Sequence, residues 1–64
     1  MKNIIAKWES RGGKQFYELR EDGTYTTNNG GGNTGLKGLL AIDYMEKNHI
    51  KDLKNDFPSV KRVI

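Results

Sequence analysis

The sequence has no cysteine, and its 64 residues include one histidine (His49), one proline (Pro58) and one tryptophan (Trp8). Without thiols there is no disulfide, no thiolate nucleophile and no soft metal ligand. Zinc takes three or four nitrogen, sulfur or carboxylate ligands, so His49 cannot build such a site unaided. No apolar run approaches the roughly 18 residues that span a bilayer, so no membrane partner is expected. The opening MKNIIAKWES holds three apolar residues between two lysines, too few for a signal peptide, and an intracellular (cytoplasmic) location is the simplest expectation. A chain of this length buries only about 60% of the surface its unfolded form exposes, enough for one domain over residues 1–64. Such a core supplies about 3–5 kcal/mol. With neither disulfide nor metal to help, close packing or a homodimer has to provide the rest.

What is present leans basic. Eleven Lys plus Arg face eight Asp plus Glu, giving a net charge of +3 and a pI near 9.3. The imbalance is mild and favours polyanionic partners over anionic self-repulsion.

Period-two alternation begins at once. Ile4, Ala6 and Trp8 interleave with Ile5, Lys7 and Glu9, the pattern of a half-buried strand. Gly12-Gly13 then supplies a hairpin turn, and Gln15–Arg20 alternates again. Asp22-Gly23 is a second hairpin signal, followed by the β-branched run Thr24-Tyr25-Thr26-Thr27. Two-residue turns at both places would put Trp8 opposite Tyr17, Ala6 opposite Leu19, and Leu19 opposite Thr26. Ile4, Ala6, Trp8, Tyr17 and Leu19 would then share the core face. The other face would pair Lys7 with Glu18, Ile5 with Arg20, Arg20 with Tyr25, and Phe16 with Glu9. A slip of one residue in either turn swaps the faces of everything beyond it.

Residues 28–35, with three consecutive glycines, read as a loop joining sheet to helix, because ordering such a run costs backbone entropy. Helical spacing follows: Leu36, Leu39, Leu40, Tyr44, Ile50 and Leu53 fall in one broad stripe, with Asn33 or Thr34 as N-cap. Asn48 ends a first helix, Ile50–Asn55 forms a second turn, and Pro58 stops it after Phe57. Ser59–Ile64 reads as a final strand at a sheet edge, where Lys61 and Arg62 discourage edge pairing. The expected fold is α+β: a three-stranded antiparallel meander, one main helix and a short C-terminal edge strand (β-β-β-α-β).

Gly30, Gly32 and Gly35 match G-x-G-x-x-G, but a dinucleotide fold needs a βαβαβ unit and a later acidic residue, and here the next strand carries Lys61 and Arg62. No cofactor is expected. Covalent catalysis would need Ser10 or Ser59 beside His49, and no signature surrounds either; catalytic residues are therefore not expected. Asp52 and Asp56 are four apart on a helix with Lys51 and Lys54 beside them, a surface charge cluster before it is a metal site. The second sheet face is the stronger lead. Phe16 and Tyr25 would stack on bases while Lys7, Arg11, Lys14 and Arg20, extended by Lys2, would meet phosphates of DNA or RNA. The alternative is that the same aromatics anchor a protein partner, such as a host protein inhibited by a phage-encoded module, or close a homodimer.

In outline, a three-stranded meander followed by a helix is similar to the arm-type DNA-binding domains of mobile-element integrases. Gly13-Lys14-Gln15-Phe16-Tyr17-Glu18 together with Gly32-Asn33-Thr34 before a helix resembles the short phage inhibitors of uracil-DNA glycosylase, which are acidic DNA mimics where this chain is basic. These likenesses, with the richness in Lys, Asn and Ile and the small size, imply a phage or mobile-element origin.

Overall fold

The computed structural model describes residues 3–64. It contains an antiparallel sheet, a bent helical segment and a short C-terminal strand, an α+β fold. The strands are β1 (Ile4–Glu9), β2 (Phe16–Arg20), β3 (Thr24–Thr27), β4 (Gly30–Asn33) and β5 (Lys61–Arg62), in the order β4-β3-β2-β1-β5. Helices α1 (Gly38–Lys47) and α2 (His49–Asp56) lie between β4 and β5 in the chain.

The β1–β2 register is the expected one, with Trp8 opposite Tyr17, Ala6 opposite Leu19, Lys7 opposite Glu18 and Glu9 opposite Phe16. Its loop is longer than two residues. Ser10 and Gln15 close it, and Arg11–Gly13 form a 3-10 turn with Gly12 and Gly13 at positive φ. Four residues turn the chain with the same parity as two, so the faces are kept. At the other end of β1 a bulge intervenes: Ile4 pairs with Arg20 although Ala6 pairs with the adjacent Leu19. Ile5 is the extra residue. Ile4 therefore leaves the expected core face and is 40% exposed, while Ile5 packs against the core.

The second turn corrects the expected register. Glu21, Asp22 and Gly23 form a three-residue loop, with the Gly23 N–H donating to Arg20 O at 3.0 Å and Gly23 at φ +90°. This is a turn closed by a glycine in the left-handed region, the usual form of a three-residue hairpin. Leu19 now faces Tyr25, not Thr26, and Tyr25 moves to the core side of the sheet. The Asp22 carboxylate accepts from the Thr24 N–H and hydroxyl, fixing the exit from the loop.

The glycine run is a strand rather than a loop. Gly30–Asn33 pair with β3, Tyr25 opposite Gly32 and Thr27 opposite Gly30. The packing of Tyr25 explains part of this. A Cβ on Gly32 would come within 2.8 Å of the Tyr25 hydroxyl, so the ring lies over the space the glycine leaves. The helix starts later than expected, at Gly38 with Lys37 in the N-cap position, because Thr34 is engaged elsewhere: its N–H and hydroxyl both donate to Gly23 O at 2.9 Å. Asn48 is the joint between α1 and α2; its backbone N–H and side-chain amide both donate to Tyr44 O. Pro58 ends α2 as expected, and a turn from Phe57 to Val60 returns the chain to β1. The last strand is shorter than residues 59–64, only Lys61 and Arg62 pairing with Glu9 and Trp8.

Ala6, Trp8, Leu19, Ala41, Met45, Ile50 and Val60 form the core between sheet and helices. Complete burial of a large apolar side chain contributes about 1.5–3 kcal/mol, so Trp8, Leu19, Met45 and Ile50 carry much of the stability. Ala41 and Met45 set the buried direction of α1. Leu39 and Leu40 are consequently outside the core, 83% and 68% exposed. The Trp8 indole N–H is buried with no acceptor among the described residues.

Candidate interaction site

The face of the sheet away from the helices holds Lys7, Phe16, Glu18 and Arg20 as expected, with Thr24 and Thr26 in place of Tyr25. Its cations are already occupied. Lys7 Nζ lies 3.4 Å from Glu18 and 3.8 Å from Glu9, and 5.9 Å from the Phe16 ring centroid. Arg20 donates from Nε to the Thr24 hydroxyl at 3.0 Å and from Nη2 to the Thr26 hydroxyl at 2.8 Å. Two cations balance two carboxylates on this face. A phosphate approaching it would have to displace Glu9 and Glu18 from Lys7, which removes the electrostatic gain of the contact.

Tyr25 joins a different group. Its ring centroid is 5.8 Å from Tyr17 and 5.1 Å from His49. His49, at the start of α2, also lies 5.7 Å from Tyr17 and 5.6 Å from Tyr44. One imidazole thus ties three tyrosines together across the joint between the helices and the sheet. Beside it a shallow pocket of ≈ 200 Å³ is lined by Tyr17, His49, Asp52, Leu53 and Asp56. Burial first, then the neighbouring Tyr25 and Asp52, hold the Tyr17 hydroxyl above its ordinary ionisation range. Among the described residues no group of three His, Asp or Glu side chains is arranged to hold a metal ion.

Arg11 and Lys14 are exposed in the first hairpin loop. Arg11 lines a groove of ≈ 470 Å³ with Glu9, Ser10, Gly12, Ser59 and Lys61, and its N–H donates to the Ser59 hydroxyl oxygen at 3.1 Å. Ser10 is buried and its hydroxyl oxygen accepts from the Gln15 N–H. Ser10 and Ser59 therefore belong to this groove, whereas His49 is committed to the tyrosines. The six sequence-derived site residues fall into three places: Lys7, Phe16 and Arg20 on the open face, Arg11 and Lys14 at the loop, Tyr25 under the helices. Lys2 lies outside the described residues.

A surface that the sequence pattern did not single out is the solvent side of α1. Leu39 and Leu40 project there, and Tyr44, one helical turn after Leu40, is 37% exposed. Tyr44 reaches His49, so the Leu40–Tyr44 side of this surface is continuous with the tyrosine cluster, while the exposed Asp43–Lys47 ion pair lies beside Leu39. Its signal in the sequence was the run of apolar residues being wider than one buried helix face needs. No helix among the described residues is long and apolar enough to cross a membrane. Compared with protein-family models, curated proteins and solved structures, the chain matches none of them.

Proposed function

We propose that this chain is a non-catalytic protein-binding module that docks through the apolar side of α1. The observation that carries the reading is the exposure of Leu39 and Leu40, 83% and 68%, on a domain with so few large apolar residues to place. Burying one leucine against a partner is worth about 1.5–3 kcal/mol, and Tyr44 beside them is a residue type enriched among interface hot spots. The open sheet face supports this reading over nucleic-acid binding, since Lys7 is held by Glu9 and Glu18, Arg20 is engaged by the Thr24 and Thr26 hydroxyls, and Phe16 and Tyr25 lie on opposite sides. The deciding test is selection of binders from a random peptide display library on the wild-type chain, with a Leu39→Asp/Leu40→Asp variant as comparison. Binders that lose at least tenfold in affinity on the variant support the module. Failure to enrich any binder, or binders indifferent to the variant, would rule it out.

A second reading, polyanion contact, is favoured by one specific feature. Arg11 and Lys61 share a groove with the Ser59 hydroxyl, and neither cation is in an ion pair among the described residues. Binding of DNA or RNA there would weaken with salt at a log–log slope of about −0.9 per phosphate contact on duplex DNA. Arg11→Gln and Lys61→Gln would each lower that slope by about one contact.

A further inference from the structure

The sequence holds six asparagines, and one of them, Asn29, is followed by a glycine. Asparagine is thermolabile because its amide carbon can be attacked by the backbone nitrogen of the next residue. A bulky next residue, a regular backbone or hydrogen bonds on the amide all hinder that attack. Five of the six are hindered in one of these ways. Asn28 accepts from the Phe16 N–H and donates to the Gln15 side chain. Asn33 accepts from the Gly35 N–H, and Asn48 donates to Tyr44 O. Asn3 precedes the β-branched Ile4. Asn55 precedes Asp56 within α2, where the next N–H is committed to the helix ladder.

Asn29 is open on every count. It is exposed in the β3–β4 turn, and its side-chain amide has no partner among the described residues. Its backbone N–H donates to the Thr27 hydroxyl oxygen at 3.1 Å, which holds the turn and leaves the side chain free. Gly30 has φ +138°, a conformation that residues with a Cβ rarely adopt, so the turn itself demands the glycine that leaves Asn29 unshielded. Nothing lies within 4 Å of where a Cβ on Gly30 would stand. Thr27 and Gly30 are the pair that closes the ladder, so opening one terminal pair releases the Gly30 nitrogen.

We infer that Asn29 is a self-modification site, at which the chain deamidates in water without any partner. The Gly30 nitrogen forms a bond to the Asn29 side-chain carbonyl carbon and loses its proton. The side-chain nitrogen leaves with that proton as ammonia, giving a five-membered cyclic imide. Water then opens the imide at one of its two carbonyls. One opening gives aspartate in the normal chain; the other gives isoaspartate, with the main chain routed through the former side chain. Both products lower the net charge of +3 by one. They differ in what they do to β4. Isoaspartate puts one more main-chain atom into a two-residue turn, which shifts β4 along β3 and spoils the placement of Gly32 under the Tyr25 ring. Normal aspartate keeps that placement.

The test is incubation of the intact chain in mildly alkaline buffer at body temperature, with peptide mapping by mass spectrometry and isoaspartate counted by enzymatic methyl transfer. Conversion of amide to acid at residue 29 is expected at least tenfold faster than at any other asparagine, with both linkages formed. Amide exchange across β4 should quicken at least tenfold in the isoaspartate fraction and stay near the starting rate in Asn29→Asp. Asn29→Ser, which keeps Gly30 and the turn, should abolish the fast conversion. Conversion first at Asn28, Asn33 or Asn55, or an unchanged rate in Asn29→Ser, would overturn the assignment. So would a chain that stays unconverted while a linear peptide of residues 27–32 reacts, since the fold would then protect the site. Unchanged β4 exchange in the isoaspartate fraction would overturn the claimed effect on the sheet.

Discussion

Replacing Gly23 by alanine is expected to unfold most of the protein, whereas the same change at Gly12 is expected to be mild. Both glycines have φ in the left-handed region, +90° and +80°. That conformation costs a residue with a Cβ about 1–2 kcal/mol. The surroundings differ. A Cβ at Gly12 meets nothing within 4 Å, but at Gly23 it would lie 1.9 Å from Leu36 O and 2.9 Å from the Thr34 hydroxyl. The Leu36 carbonyl cannot retreat easily, because Thr34 holds the segment to Gly23 through two hydrogen bonds. Overpacking of this kind adds about 1–3 kcal/mol. The total for Gly23→Ala, about 2–5 kcal/mol, is comparable to the about 3–5 kcal/mol that so small a core supplies. Urea denaturation followed by Trp8 fluorescence would measure the loss in each variant. Equal midpoints for Gly12→Ala and Gly23→Ala would refute the close-approach argument, since only backbone conformation is common to the two.

Other outcomes follow from the same structure. His49→Ala removes three ring contacts and is expected to cost about 1–3 kcal/mol in thermal or urea unfolding, with most of the loss recovered by His49→Phe. Arg20→Met forfeits two hydrogen bonds to threonine hydroxyls, a loss of about 1–3 kcal/mol, and Arg20→Lys recovers little because an ammonium lacks the fork that spans both. Leu39→Asp/Leu40→Asp should change the unfolding midpoint only slightly, within about 0.5 kcal/mol per site, while abolishing partner binding. Tyr17 ionises later in the folded chain than in the unfolded one, which loses its proton near pH 10. Its contribution is thus complete below that pH and is lost as pH rises through the folded value; Tyr17→Phe should flatten this alkaline decline in a pH series of urea titrations.

Much of the fold was legible because side-chain alternation reports which face a strand buries. Ala6, Trp8, Tyr17 and Leu19 were placed correctly on the core face, helped by a first loop whose four residues preserve the parity of two. The second turn failed by a single residue. Asp22-Gly23 signals a turn without saying whether Glu21 belongs to it, and that one residue carries Tyr25 from one face to the other. β4 was invisible for a simpler reason: glycine has no side chain, so a glycine strand has no alternation to read. In α1 the apolar residues were wider than one face, and only the positions of Ala41 and Met45 decide that Leu39 and Leu40 are outside. The expected aromatic and basic surface lost Tyr25 at the shifted turn, while the pairing of Lys7 with Glu18 on it is the expected one.

The Trp8 indole gives the protein an internal spectroscopic reporter. It is the chain's one tryptophan, fully enclosed, and its N–H has no acceptor among the described residues. Emission from such a ring lies at short wavelength, and its proton resonance is that of an indole free of hydrogen bonding. It sits on β1, opposite Tyr17 on one side and Arg62 on the other. A ligand that merely coats β4 or α1 leaves both signals where they are, while one that pries helix from sheet shifts them together.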